Sequence, residues 1–205
     1  MMSEIIKALL VIAASYTLGS LSWALIIGKV GYGVDLREKG SKNPGATNAF
    51  RVLGPLAGFL ILIGDVSKGI ISVLLASYLF PNAPTLLQSP VIFSNLDATV
   101  VVLAGLAAII GHNWSIYFNF TGGKGISTSA GVLLILVPRV VLILLVVWSL
   151  IFIFTRIISL GSVTIAALFP FLAFCYYPNN YPYLAFSLVA AGVAIYKHRS
   201  NIKRL

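Results

Sequence analysis

Residues 128–154 read TSAGVLLILVPRVVLILLVVWSLIFIF, an apolar run broken once, at Pro138-Arg139. The fold turns on that break. As one kinked helix the run gives the chain six spans; as a turn it gives two short helices and seven spans. The residue before a proline disfavours helix, and an arginine at mid-membrane costs roughly 2.5–3.5 kcal/mol or more. Both facts favour the turn. Twelve residues then rise only about 18 Å against a hydrocarbon core of about 30 Å. One helix is therefore expected to be short, in a region that is thin or entered by water.

The rest of the chain is read outward from this run. The apolar stretch from Lys7 onward continues to Ile27 with no polar mature domain behind it, so it reads as a retained helix at roughly 5–28. A polar loop follows at 29–52, then an apolar run at 53–79, a connection from Pro81 to Asp97, and a run at 98–118. A Gly-rich loop covers 119–127, and after the broken run come 158–177 and 181–196. The 205 residues are 59% hydrophobic and 9% charged, with mean hydropathy +1.00. A soluble domain carries about 25% charged residues, and a disordered chain needs low hydrophobicity. The expectation is an all-α integral membrane protein, a bundle of about seven transmembrane helices, some short, forming one domain over 1–205. The single cysteine, Cys175, allows no internal disulfide and no cysteine metal cluster. No internal repeat stands out.

Charge supports the seven-span count. With the N-terminus outside, the inside receives Lys29, Arg37, Lys39, Lys42, Arg51, Lys124, Arg156, Lys197, Arg199, Lys203 and Arg204, eleven of the 14 cations. Lys7 and Arg139 fall outside and Lys68 lies in a span. This obeys the positive-inside rule; six spans would put the Gly-rich loop and the basic tail on opposite sides. Only 5 Asp and Glu offset the 14 cations, leaving +9. In a membrane chain that excess points to cytoplasmic loops and an anion site rather than to nucleic acid.

Three polar clusters share the inner side. The first, Gly40-Ser41-Lys42-Asn43-Pro44-Gly45-Ala46-Thr47-Asn48-Ala49-Phe50-Arg51, is rich in hydroxyls, amides and cations and poor in carboxylates. Arg51 offers a planar fork that fits a phosphate, although a solvated loop capping a helix has the same composition. The second joins Gly111-His112-Asn113-Trp114 to Phe120-Thr121-Gly122-Gly123-Lys124-Gly125-Ile126-Ser127-Thr128. Glycines around a lysine at a helix start suit an anion, and a flexible turn explains them equally. The spacing is not that of a Walker loop. The third, Lys197-His198-Arg199-Ser200-Asn201-Ile202-Lys203-Arg204, would place His198 and Asn201 on one helix face; a tail touching anionic lipid is its plain reading. Asp65 and Lys68, spaced i, i+3 inside a span, are either a site or a structural bridge. Ser162, near the start of a later span, belongs to a residue class that usually bonds helix to helix.

Together these clusters resemble the bacterial membrane acyl-phosphate:glycerol-3-phosphate acyltransferases, the PlsY family. Residues 40–48 with Arg51 resemble its first motif; Leu62-Ile63-Gly64-Asp65-Val66-Ser67-Lys68-Gly69 its second span; Gly-His-Asn-Trp and Phe-Thr-Gly-Gly-Lys-Gly its second motif; and the tail its third. The family pattern continues to a Gly-x-Glu, beyond Leu205. The resemblance implies transfer of an acyl group from acyl phosphate to sn-glycerol 3-phosphate, giving lysophosphatidic acid and phosphate, the first acylation of phospholipid synthesis. It implies no cofactor or metal, no acyl-CoA or acyl carrier protein, no nucleic acid, and a monomer in the bacterial inner membrane with its site facing the cytoplasm.

On this resemblance Ser41, Arg51, Lys124, His198 and Asn201 are the expected catalytic residues. Gly40, Asn43, Gly45, Thr47, Asn48, Lys68, Gly122, Gly123, Gly125 and Ser162 are expected to bind substrate or phosphate. An acyl phosphate is already activated, so direct transfer by positioning and charge neutralisation suffices. Lys124, the glycine amides and Ser162 would hold one phosphate, and Ser41, Arg51 and Asn43 or Asn48 the other or the attacking glycerol. His198 would be a weak base, its pKa depressed by basic neighbours. His112 lacks the aspartate four residues on that acyl-CoA-dependent acyltransferases carry, and is expected to be structural. The competing readings are a small membrane transporter of an organic phosphate and a structural lipid-binding subunit.

Overall fold

The computed structural model of the chain describes residues 2–81, 96–178 and 180–205. The expected Pro81–Asp97 connection falls largely on 82–95, outside the described residues. The described residues are helical with no strand. Helix α1 (Met2–Ser20) stops at Leu21-Ser22, and α2 (Trp23–Ile26) restarts and widens into a π-wound turn, Ile27–Gly31. After a loop come α3 (Ala46–Val52), α4 (Pro55–Leu79) and α5 (Leu96–Asn113). A short 3₁₀ turn at Ile116–Phe118 precedes α6 (Ile126–Leu136) and α7 (Pro138–Thr155). Helices α8 (Ile158–Tyr176), α9 (Tyr181–Lys197) and α10 (Arg199–Ile202) complete the chain. Five of these segments are long and apolar enough to cross a membrane, and α6 is a shorter apolar helix.

The break read at Pro138-Arg139 is present and takes a single residue. Val137 ends α6, and Pro138 occupies the first turn of α7, where its missing N–H costs nothing. The carbonyl of Leu136, freed by the break, accepts a hydrogen bond from the Tyr183 hydroxyl of α9 at 2.7 Å. The first span departs from expectation. The continuous helix read at 5–28 is interrupted at Leu21-Ser22, with Ser22 capping the restart through its hydroxyl (Leu25 N, 3.4 Å). The exposed backbone there is satisfied from elsewhere. Lys68 Nζ donates to Leu21 O at 2.8 Å, and Ser115 Oγ donates to Ser20 O at 2.6 Å. In a bilayer such a break persists only where protein supplies those partners.

Two helix pairs pack backbone against backbone. Between α1 and α5, a methyl group added at Gly19 would lie 2.2 Å from Ala108 O, and one at Gly111 2.2 Å from Tyr16 O. Between α4 and α6, one at Gly131 would lie 2.1 Å from Val66 O and one at Gly69 2.4 Å from Thr128 O. Small residues permit this approach, which drives helix association where lipid removes the hydrophobic driving force. A core of Val73, Phe80, Val132, Val140, Phe169 and Phe186 joins α4 to α9. A second, smaller core of Ala24, Leu36, Ala49 and Ile61 seats the 33–45 loop on α2, α3 and α4.

Candidate active site

Three segments far apart in sequence meet at one end of the bundle around a cavity of about 470 Å³. Arg37, Ser41, Lys42, Asn43 and Pro44 come from the first loop. Thr121, Gly122 and Lys124 come from the Gly-rich loop, and Lys197, Arg199, Ser200, Asn201 and Arg204 from the tail. Six of these are cations and none is a carboxylate.

Asn48 organises the first loop. Its side-chain oxygen accepts from Ser41 N at 2.8 Å, and its amide donates to Leu36 O (3.1 Å) and Lys39 O (3.0 Å). Gly40 sits at φ +57°, a left-handed turn in which a methyl group would strike the Asn48 oxygen at 2.3 Å. Asn48 is buried and both its N–H bonds are used, so it shapes the loop that presents Ser41 and Asn43. Gly45 caps α3 in extended backbone, Thr47 lies in that helix's first turn, and Arg51 in its last. Arg51 does not line the cavity, yet its charge is close enough to act on Lys124. At the rim Asp35 pairs with Arg37 (2.7 Å) and Lys29 (3.0 Å), and the Arg37 guanidinium holds its carboxyl well below the usual range.

Lys124 reaches the tail directly, donating to Asn201 Oδ1. Burial, with Arg204, Arg51 and Lys197 adding to it, pushes its amine down to about 8. Between pH 8 and its ordinary 10.5 the unfolded chain therefore binds more protons here than the folded one. The protonated site is destabilising below pH 8, and that cost is relieved as pH rises to 10.5. A phosphate in the cavity would restore the amine's affinity for its proton. The apparent KM for a phosphorylated substrate is thus expected to rise above pH 8, by up to about tenfold per pH unit. Initial rates between pH 6.5 and 9.5 check this, and in Lys124→Arg the alkaline rise should disappear.

Several expected site residues stand elsewhere. Lys68 is 1% exposed, and its ammonium meets Leu21 O, Asp65 Oδ1 (3.0 Å) and His112 Nδ1 (2.8 Å). Ser162 lies on the α7–α8 contact, where it donates to Ile158 O (3.0 Å) and accepts from Trp148 Nε1 (3.4 Å). Gly123 does not offer its amide to an anion, because that N–H donates to His112 O at 3.1 Å. Gly125, at φ +82°, turns the chain into α6. His198 is buried and turned back on its own helix, Nδ1 donating to Ala194 O at 2.8 Å. Burial lowers its pKa, and Lys124 adds to that against the Ala194 bond. It does not line the cavity; it sits between α9 and α10 and caps α10, its carbonyl accepting from Asn201 N at 2.8 Å and Ile202 N at 2.9 Å.

Arg37, Lys197 and Arg204 also line the cavity, although the motifs do not mark them as site residues. Their signal was present in part: Lys197, Asn201 and Arg204 recur at i, i+4 and i+7. Lys197 also fastens the tail, donating to Asn113 O at 2.7 Å with its ammonium 4.9 Å over the Trp114 ring.

Comparison with known proteins fits this architecture. The family model described as glycerol-3-phosphate acyltransferase matches residues 9–205. A "Glycerol-3-phosphate acyltransferase 2" of Moorella thermoacetica is 42% identical, over 96% of this chain and 93% of that protein. A glycerol-3-phosphate acyltransferase of Fusobacterium nucleatum is 41% identical, over 95% and 92%. The crystal structure of PlsY (YgiH), an integral membrane glycerol 3-phosphate acyltransferase, in its glycerol 3-phosphate form, superimposes with TM-score 0.83 at 36% identity, covering 97% of this chain and 91% of that one. Its lysophosphatidic acid form gives 0.80. With a family match along nearly the whole chain and the same helical fold, this protein belongs to the glycerol-3-phosphate acyltransferase family of integral membrane proteins.

Proposed function

We propose that the chain transfers a fatty acyl group from acyl phosphate to the 1-hydroxyl of glycerol 3-phosphate, releasing lysophosphatidic acid and inorganic phosphate. The observation that carries this reading is the cavity itself: six cations, no carboxylate, and apolar helices beneath. Two phosphorylated substrates, one with a long acyl chain, need cations above and hydrocarbon below. Carboxylates would repel both.

The hydroxyl attacks the acyl carbonyl, the C–O bond to phosphate breaks, and the hydroxyl proton passes to a phosphate oxygen. Lys124 and Asn201 stand against one phosphate, and Ser41 and Asn43 on the facing loop against the other. Cations neutralise the leaving phosphate, which is where charge develops. His198 is a poor proton acceptor in this reading, since burial and the nearby Lys124 charge lower its pKa.

The site is cytoplasmic in this reading, the protein a monomer and a single domain in the bacterial inner membrane, with its N-terminus outside. Three segments meeting at one end supports it. The chain returns to the same face between 44 and 121 through α4 and α5, and between 124 and 197 through α6, α7, α8 and α9. Apart from the seven-residue α3, too short to cross, each passage is an even number of helices.

The test uses protein purified in detergent. Release of phosphate from palmitoyl phosphate is expected only when glycerol 3-phosphate is present, with lysophosphatidic acid as product. A covalent acyl-Ser41 adduct would overturn direct transfer. Uptake of glycerol 3-phosphate into vesicles without turnover would overturn the enzyme reading.

A further inference from the structure

Behind the cavity lies a buried network that acyl transfer, as derived above, leaves unused. Lys68 Nζ lies 2.8 Å from Leu21 O, 3.0 Å from Asp65 Oδ1 and 2.8 Å from His112 Nδ1, and the same Nδ1 stands 3.4 Å from Asp65 Oδ1. Nδ1 is held by this pair, and Nε2 stands at the other edge of the ring. That nitrogen faces the Gly-rich loop, where a methyl group added at Gly123 would fall 2.1 Å from it. The backbone of the same histidine completes the contact. Gly123 N donates to His112 O at 3.1 Å, and a methyl group at Gly122 would fall 2.2 Å from that oxygen. Ring and carbonyl together form a floor under the two residues that precede Lys124.

We propose that Lys68 and His112 are positioning residues for the reaction: Lys68 fixes the imbedded imidazole, and the imidazole sets the height at which the loop presents Lys124 to the cavity. Neither touches substrate. The series runs Asp65, Lys68, His112, Gly123, Lys124, from the membrane interior to the cavity. Both glycines are thereby explained as the residues that let the loop settle on the floor. A displacement of about 1 Å at a reacting group can cost about 100-fold in rate, so the floor has leverage on catalysis without contributing a contact. This inference rests on the acyl-transfer reading.

The experiment is a double-mutant cycle on the purified protein, with palmitoyl phosphate and glycerol 3-phosphate and with rates normalised to folded protein from gel filtration. Gly123→Ala alone is expected to lower kcat/KM by about 100-fold, because the new methyl group lifts the loop off the ring. In a His112→Ala background the same change should cost about tenfold less, because the methyl group enters vacated space. Gly122→Ala is the control. Its obstacle is the backbone oxygen, so His112→Ala should not relieve it. If Gly123→Ala costs the same in both backgrounds, the inference is overturned. It is also overturned if His112→Ala changes only the yield of folded protein and leaves kcat and both KM values as they were. His112→Asn provides a second background should the alanine variant not be recovered folded. If the unmodified protein fails to turn over, the acyl-transfer reading falls, while the steric contact is still read from the thermal midpoints of the same four proteins.

Discussion

Lys124→Met is expected to lower kcat/KM by about 10²–10³-fold, the range seen when one preorganised donor to a developing anion is removed. The methionine keeps the aliphatic stem and removes the charge together with its N–H donors. Lys124 sits in a loop and is partly exposed, so the bundle should fold as before. The charge does two things that no neighbour replaces. It faces the cavity from the Gly-rich side, and it ties that loop to the tail through Asn201. Arg204 and Arg199 line the same cavity from the tail alone. Phosphate release from palmitoyl phosphate, measured with both substrates varied, checks the expectation. An unchanged kcat/KM with an unchanged thermal midpoint would remove Lys124 from the reaction. Lys124→Arg should recover part of the rate, since the fork restores charge and donors but not the compact point charge.

Gly131→Val should abolish the fold as isolated in detergent. The first carbon of the new side chain would lie 2.1 Å from Val66 O and 3.2 Å from Ile70 N, atoms of α4 that cannot rotate away. The helices must separate. Overpacking inside a fixed core costs about 1–3 kcal/mol and sometimes more, and here backbone rather than side chain must yield, so the upper end applies. The loss would reach the site as well, because α6 begins at the loop that carries Lys124. Gly192→Val is the matched control, for Gly192 has nothing within 4 Å of an added carbon. Gel filtration and a thermal melt of the two variants decide the matter: aggregation of the first and native behaviour of the second are expected, and equal behaviour would refute the packing argument.

The features readable in advance were those written locally. Pro138 disfavours helix at the residue before it, so the α6–α7 joint is visible without knowing any neighbour. The missing carboxylates around a cationic cavity follow from position and charge alone. The break at Leu21-Ser22 was not legible, because the run around it stays apolar and its compensating partner, Lys68, lies 47 residues away. For Lys68 the spacing to Asp65 left a site and a structural bridge both open. An ionisable residue in a span signals function by default, and only the third dimension reveals that its ammonium already meets Leu21 O, Asp65 and His112. Ser162 and Gly123 are similar. Each carries a group suited to phosphate, and in each the group is occupied, by Ile158 O and by His112 O respectively.

The interruption at Leu21-Ser22 has a consequence for how the chain enters the membrane. When the first hydrophobic segment emerges, the Leu21 carbonyl has no donor within its own helix, and the residue that satisfies it has yet to be made. When α4 follows, it brings an ammonium that is equally unsuited to lipid. Each segment alone carries a polar group that hydrocarbon penalises; side by side, the two groups satisfy each other at 2.8 Å. Biogenesis is therefore stepwise but not independent. The bend at Leu21-Ser22 is thus expected to settle only once Lys68 stands beside it.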